Sequence, residues 1–414
     1  MDLQFSQQKL AWLLWLIFTV SICALIISTG HNRTVSLNYW LASNHWLHAQ
    51  ALYSLGGAGF LYFPQSAILY IPMGVLPFGM SEICWRIISL GMFAWGIYCF
   101  AILLHRSIFN QIRNGSSYSC IKSQGFFFLL ITVIAIPLSF SSARNGQMHL
   151  FLCGMLMLAS YTFSERQWWK SACLLLIALA LKPTAIVLLL MLGGLYWAIG
   201  WRLFVGLFIF LLFPFLTQFP DYVWHQYLSV MISLPNTVAM GSGDWGQVSS
   251  LLTQFGLELS KNTQTVIRLV FALGVFGLGY LIKKRYSLNE AALWIFVLSM
   301  CYLLLFNPRT EGNGYFMLAP AVGFIMSRAI IRKQYFLVSS LVLGLLISSL
   351  GYYIAHVFTP GHSVWLDPLL GSLFFILVLF EIFRMLAKNS SLASSQLPNL
   401  SRQLSVRPKN DSAY

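Results

Sequence analysis

The chain has 414 residues, of which 58% are hydrophobic and only 9% charged, with a mean hydropathy of +0.74. That is too little charge to coat a soluble globule of 46.8 kDa, so composition excludes a water-soluble enzyme and predicts an all-α polytopic membrane protein. Its 25 Lys and Arg against 11 Asp and Glu give a formal charge of +14, which the positive-inside tendency and an anionic inner leaflet explain without a nucleic-acid partner.

Taken from the N-terminus, the apolar run 10–28 reads as a retained first helix, because only Lys9 precedes it and no small-residue cleavage site directly follows. Residues 29–83 are expected to form a long first outer loop. There "SLNYWLASNHWLHAQ" carries Trp, Tyr and His at near-helical spacing, as an interfacial amphipathic helix does, before a shallow, proline-interrupted segment. A crossing at 64–80 would invert every later loop and spoil the Lys/Arg asymmetry. His45 and His48 lie one turn apart, but with no accompanying carboxylate they read as headgroup-level side chains rather than a metal site.

Runs at 84–104, 125–142, 148–163, 171–181, 184–201 and 203–217 follow, then a second long outer loop, 218–263, holding Asp221 and Asp244. Runs at 264–282, 290–306, 315–330, 335–355 and 368–386 complete about twelve transmembrane helices in one domain, 1–386. Several fall short of the ~20 residues that cross a bilayer, which predicts broken or thinned helices around a cavity. Residues 387–414 read as a disordered, basic, cytoplasmic tail. Both termini are expected in the cytoplasm of a bacterial inner membrane. The seven cysteines, mostly inside apolar runs and without a CxxC, specify neither a disulfide framework nor a metal site.

With that orientation most Lys and Arg fall inside, and Arg33, Arg86, Arg144, Lys182, Lys261, Arg268 and Arg309 remain outside. Three of these occupy very short outer turns: Arg144 in "SSARNGQMHL", Lys182 in "LALALKPTAIV" and Arg309 in "NPRTEGNGY". Singly, each reads as a side chain reaching outer headgroups. Together they read as a converging phosphate-binding cluster, since cations in a partly dehydrated site bind phosphoryl oxygens strongly. Gln147, Asn313 and Tyr62 are candidate substrate contacts. Glu311 shares a loop with Arg309, either as a proton acceptor or as a partner that orients Arg309.

The string "ALYSLGGAGFLYFPQSAILYIPMGVLPF", followed in order by "ARNGQMHLFLCGML", "SACLLLIALALKPTAIVLLLMLGGLYWAIGWRLF", "WGQVSSLL" and "NPRTEGNGYFMLAP", resembles the motif series of glycosyltransferase family 87. These are polyprenyl-phosphate-mannose-dependent membrane enzymes of the GT-C superfamily. The resemblance covers most of residues 35–320. It implies a GT-C-like fold with interfacial helices in long outer loops, and inverting transfer of a mannose-like hexose from a polyprenyl-phosphate sugar to a glycan or glycolipid acceptor. It implies no metal or other cofactor.

The family generally carries an Asp in the first outer loop as its base. Here the matching stretch reads "RTVSLNYWLA", and no Asp or Glu occurs between Asp2 and Glu82. A substitute base is therefore needed, and Glu311 leads, followed by Asp244, then Asp221 and Glu82. Arg144, Lys182 and Arg309 are the candidates for stabilising the departing polyprenyl phosphate. Two other readings fit the same cations: a flippase or transporter of lipid-linked sugars, and a catalytically inactive relative that only binds them.

Overall fold

The computed structural model describes residues 2–30, 34–53, 59–112, 123–239, 245–358 and 364–405. All regular structure among these residues is helical. Eight helices are long and apolar enough to cross a membrane: Ser6–Thr29, Phe78–Ile108, Gln124–Asn145, Trp197–Leu216, Lys261–Arg285, Leu288–Phe306, Gly312–Ile331 and Leu366–Ala387. Four shorter apolar helices, Met148–Ser164, Trp168–Leu181, Pro183–Leu195 and Tyr335–Ser349, take up the remaining apolar runs. By length and composition alone, eight of these twelve apolar helices among the described residues are long enough to cross a membrane.

Leu288–Phe306 is the central helix. Its start is fixed by Ser287, whose hydroxyl accepts from the Glu290 backbone N–H, the arrangement expected of a Ser-x-x-Glu start. Nearly every side chain from Glu290 to Phe306 is buried. Phe78–Ile112 and Met148–Ser164 approach closely where glycines meet: a Cβ on Gly96 would lie 2.6 Å from the Gly154 carbonyl oxygen. In a membrane, where apolar burial between helices gains little, such close backbone contact supplies the packing. Trp197–Leu212 and Lys261–Arg285, by contrast, leave most of their apolar side chains exposed.

Charges tie the bundle at the end opposite the glycine-rich turns. Arg328 pairs with Glu290 at 3.3 Å, and Arg332 with Glu381 at 2.6 Å, joining three helices. Arg106 pairs with Glu165, and Arg285 donates to the Leu386 carbonyl.

At the other end the chain between the first two long helices folds back as helix Ser36–Leu47 and the short helices Pro64–Leu69 and Ile71–Gly74. Pro64 starts its helix because its ring fixes φ and its missing N–H is one of those a helix start leaves unpaired. This segment is covered by helix Pro220–Ala239: Trp46 packs on Tyr222, and Leu52 N–H donates to Gln226 Oε1 at 3.0 Å. The helix Leu366–Ser405 continues the chain past residue 387.

Candidate active site

The site is assembled where helices end. Gln124–Asn145 stops at Gly146, whose φ of +65° is the left-handed closure that glycine adopts without strain. The chain turns there, so Gln147 becomes the N-cap of Met148–Ser164 and His149 lies in its first turn. Trp168–Leu181 stops at Lys182, which is extended (φ −152°, ψ 126°) because the residue before a proline is excluded from helical geometry. Glu311, also extended, precedes the 3₁₀ turn Gly312–Leu318.

These three breaks place one polar chain in an otherwise apolar interior. Lys182 Nζ lies 2.7 Å from His149 Nε2, His149 Nδ1 lies 3.2 Å from Gln147 Oε1, and Gln147 Nε2 donates to Glu311 Oε2 at 2.8 Å. Lys182, His149 and Gln147 are all buried. An ammonium only donates, so Nε2 accepts, the imidazole proton sits on Nδ1 and donates to Gln147, and the amide passes the polarity on to a carboxylate acceptor. A cation and an anion are thus linked through two neutral groups, and each link reinforces the next.

Around this chain, Lys182 Nζ stands 5.9 Å from the Tyr62 ring centroid and the Tyr62 hydroxyl is 3.3 Å from that of Tyr39. Burial pushes the Tyr62 phenol up to about 12, so it remains a donor. Arg309 stacks 4.8 Å from the Trp245 ring centroid, and its Nη1 is buried with no hydrogen-bond partner. Trp245 is held there because Gly246 N–H donates to the Thr310 carbonyl (2.7 Å) and the Tyr315 hydroxyl donates to that of Gly246 (2.7 Å). Asn313 is fixed through its carbonyl by Ser142, at 2.6 Å, while its Oδ1 has no partner.

Opposing influences act on Glu311. Burial alone would raise its pKa, but Lys182 first, with the Gln147 hydrogen bond and Arg309 among the lesser causes, outweighs it and holds the carboxyl below its ordinary value. Lys182 is pushed down to about 8 by burial, with Glu311 opposing the shift and Arg309 adding to it.

A cavity of about 880 Å³ opens beside the chain, lined by Arg144, Asn145, Trp245, Glu311, Asn313 and Asp367 among others. It shares Leu138, Tyr315, Ser348 and Asp367 with an apolar cavity of about 290 Å³. That second space runs between Gln124–Asn145, Tyr335–Ser349 and Leu366–Ser405, lined by such residues as Leu341, Leu345, Leu370 and Phe374.

Of the residues singled out in the sequence, Gln147 and Glu311 are joined directly, and Lys182 is joined to them through His149. Arg309 and Tyr62 adjoin them, and Arg144 and Asn313 stand on the cavity wall. Asp244 lies outside the described residues. Asp221 is exposed on Pro220–Ala239 and does not line the cavity. Glu82 forms a fully buried ion pair with Arg86 at 2.9 Å, and Arg86 also donates to Thr34, Ser36 and the Arg144 carbonyl. That pair braces the loop against the helix end. His45 and His48 face the carbonyls of Ala51 and Asn44 through Nδ1. Two residues escaped the sequence reading. His149 had only its place two residues after Gln147 as a signal, and Asp367 had none beyond being an outer-side acid.

Among the described residues the chain is all-helical and carries eight helices long and apolar enough to cross a membrane, the architecture of a polytopic membrane protein. The model of glycosyltransferase family 87 matches residues 60–308, more than half of the chain, and the protein belongs to that family: it is a membrane glycosyltransferase. No curated protein matches it.

Proposed function

We propose that the protein transfers a mannose-like hexose, with inversion, from a polyprenyl-phosphate sugar to a hydroxyl of a glycan or glycolipid at the outer face of a bacterial inner membrane, with both termini cytoplasmic. One observation carries the reading: the polar cavity and the apolar one share a wall at Leu138, Tyr315, Ser348 and Asp367. That shape accepts a ligand with a polar head and a long apolar chain.

In this reading Arg144 meets the phosphate from the cavity wall, and the unpaired Nη1 of Arg309 gives it a second donor. Lys182 supplies positive potential from behind Glu311. The acceptor oxygen forms its bond to the anomeric carbon as the bond from that carbon to the phosphate oxygen breaks. The electron pair leaves with polyprenyl phosphate, whose charge the cations stabilise. Of the two roles open to Glu311, the geometry favours orientation, because Lys182, Gln147 and Arg309 already engage its charge.

Donor binding tests the reading. Purified protein in nanodiscs should bind a polyprenyl-phosphate mannose, and Arg144→Gln or Arg309→Gln should weaken binding by about 10- to 100-fold, the loss of a charge-assisted contact of roughly 1.5–3 kcal/mol. Failure of the unaltered protein to bind any polyprenyl-phosphate sugar would overturn it. The carboxylate-free stretch between Asp2 and Glu82 favours a second reading, an inactive relative that binds such lipids. Binding of the donor without its consumption, across several acceptors, would select that one.

A further inference from the structure

Two carboxyl groups face the cavity, and they differ in company. Glu311 is engaged by Gln147 and lies in the field of Lys182 and Arg309. Asp367, in the first turn of Leu366–Ser405, has Ser348 beside it and pairs with no Lys, Arg or His among the described residues. The other titratable groups lining this cavity are Arg144, Glu311, Tyr315 and Tyr353. Asp367 stands at the joint between the polar cavity and the apolar one, since it lines both. Its position depends on Gly312: a Cβ there would come within 3.0 Å of Asp367 Oδ2. The carboxylate therefore lies against the backbone next to Glu311.

From this juxtaposition we infer that Asp367 is the catalytic base, the group that accepts the proton of the attacking hydroxyl, while Glu311 holds the cations that receive the phosphate. The inference rests on the glycosyl-transfer reading above. A carboxylate hydrogen-bonded to Gln147 in the field of Lys182 and Arg309 gains little by taking a proton, whereas one at the joint of the two cavities with Ser348 beside it keeps lone pairs for an incoming O–H. The balance is simple. The acceptor oxygen bonds to the anomeric carbon, its proton passes to an Asp367 oxygen, and the bond between that carbon and phosphate oxygen breaks with its electrons leaving on polyprenyl phosphate. No co-reactant beyond the lipid-linked sugar and the acceptor is needed. Asp367 lies beyond residues 60–308, so the family match does not assign it this role.

Replacement by a neutral group and supply of a nucleophile that needs no base separate this role from a structural one. Asp367→Asn should bind polyprenyl-phosphate mannose within about threefold of the unaltered protein, yet lose transfer by about 10²–10⁴-fold, the span typical of losing a general base. Asp367→Glu should recover part of the rate. Azide is already an anion, so in Asp367→Ala it should attack the anomeric carbon directly and release polyprenyl phosphate with formation of mannosyl azide. Glu311→Gln should instead weaken donor binding. The inference is overturned if Asp367→Asn transfers at near-normal rate, or if it loses donor binding along with transfer. It is also overturned if azide yields no mannosyl azide from a variant that binds donor. Failure of the unaltered protein to transfer from any polyprenyl-phosphate sugar would sink the underlying reading instead, and this role with it.

Discussion

Lys182 shows how a single residue becomes a functional group through its surroundings. Unfolded, its amine has the ordinary value of 10.5, and burial first of all pushes it down to about 8. Between those values the unfolded chain binds more protons than the folded one, so Lys182 makes stability rise as pH is raised through that window. Glu311 works in the opposite range: its depressed carboxyl contributes stability above about 4.5, lost as pH falls through the lower folded value. Comparing thermal midpoints of the unaltered protein and Lys182→Met from pH 7 to 9 should show a steeper rise with pH in the former. Affinity for a polyprenyl phosphate should fall over the same interval, since a neutral amine no longer attracts the anion. His149 is the link that makes the two charges one unit. His149→Phe keeps the ring and removes both nitrogens, leaving the Lys182 ammonium and Gln147 Oε1 unpartnered. A loss of roughly 1–3 kcal/mol is expected, read as a lower unfolding midpoint together with weaker donor binding.

At the scale of elements, the site exists because helices stop where they do. Gly146 closes Gln124–Asn145 in the left-handed region, and a Cβ there would lie 2.2 Å from Arg86 Nη1. Gly146→Ala therefore meets both backbone strain and a guanidinium already fixed by Glu82, Thr34, Ser36 and the Arg144 carbonyl. The strain alone is about 1–2 kcal/mol, and displacing Arg86 from Glu82 adds the cost of a buried charge losing its partner. Gly146→Ala should unfold at distinctly lower temperature than Gly91→Ala, a control glycine where an added Cβ would meet nothing within 4 Å. Equal midpoints for the two would show that the Arg86 brace carries no stability. Pro183 acts similarly on Lys182: without the proline ring the preceding residue is free to stay helical, and the amine would turn away from His149.

For the whole molecule, the helices separate two ends of unlike character. One end carries the cavity, with Arg144, Lys182 and Arg309. The other carries Arg106, Arg328, Arg332 and the last turn of Lys261–Arg285 with Lys283, Lys284 and Arg285. Lys261–Arg285 runs from one end to the other, so it offers a direct test of orientation. A cysteine introduced at Asn262 should react with an impermeant reagent from outside, and one at Lys284 only from the cytoplasm. Reaction of both from the same side would contradict the helix's crossing and move the site with it.

The sequence by itself determined the membrane character, the positions of the apolar runs and the places where they break, because hydropathy, prolines and glycines act over a few residues. It also marked Arg144, Gln147, Lys182, Arg309 and Glu311 as polar groups at those breaks, and the family through the order of its motifs. Which of them meet was decided only by tertiary structure. The rotation of Met148–Ser164 turns His149 toward Lys182, and the packing of Thr34, Ser36 and the Arg144 carbonyl around Arg86 buries its local pair with Glu82 and keeps that acid from chemistry. The crossing of Leu366–Ser405 near Gly312 brings Asp367 into a cavity whose walls also include Arg144 and Trp245, from much earlier in the chain. Those contacts depend on the register and rotation of helices far apart in sequence, and local patterns of polarity carry no record of either.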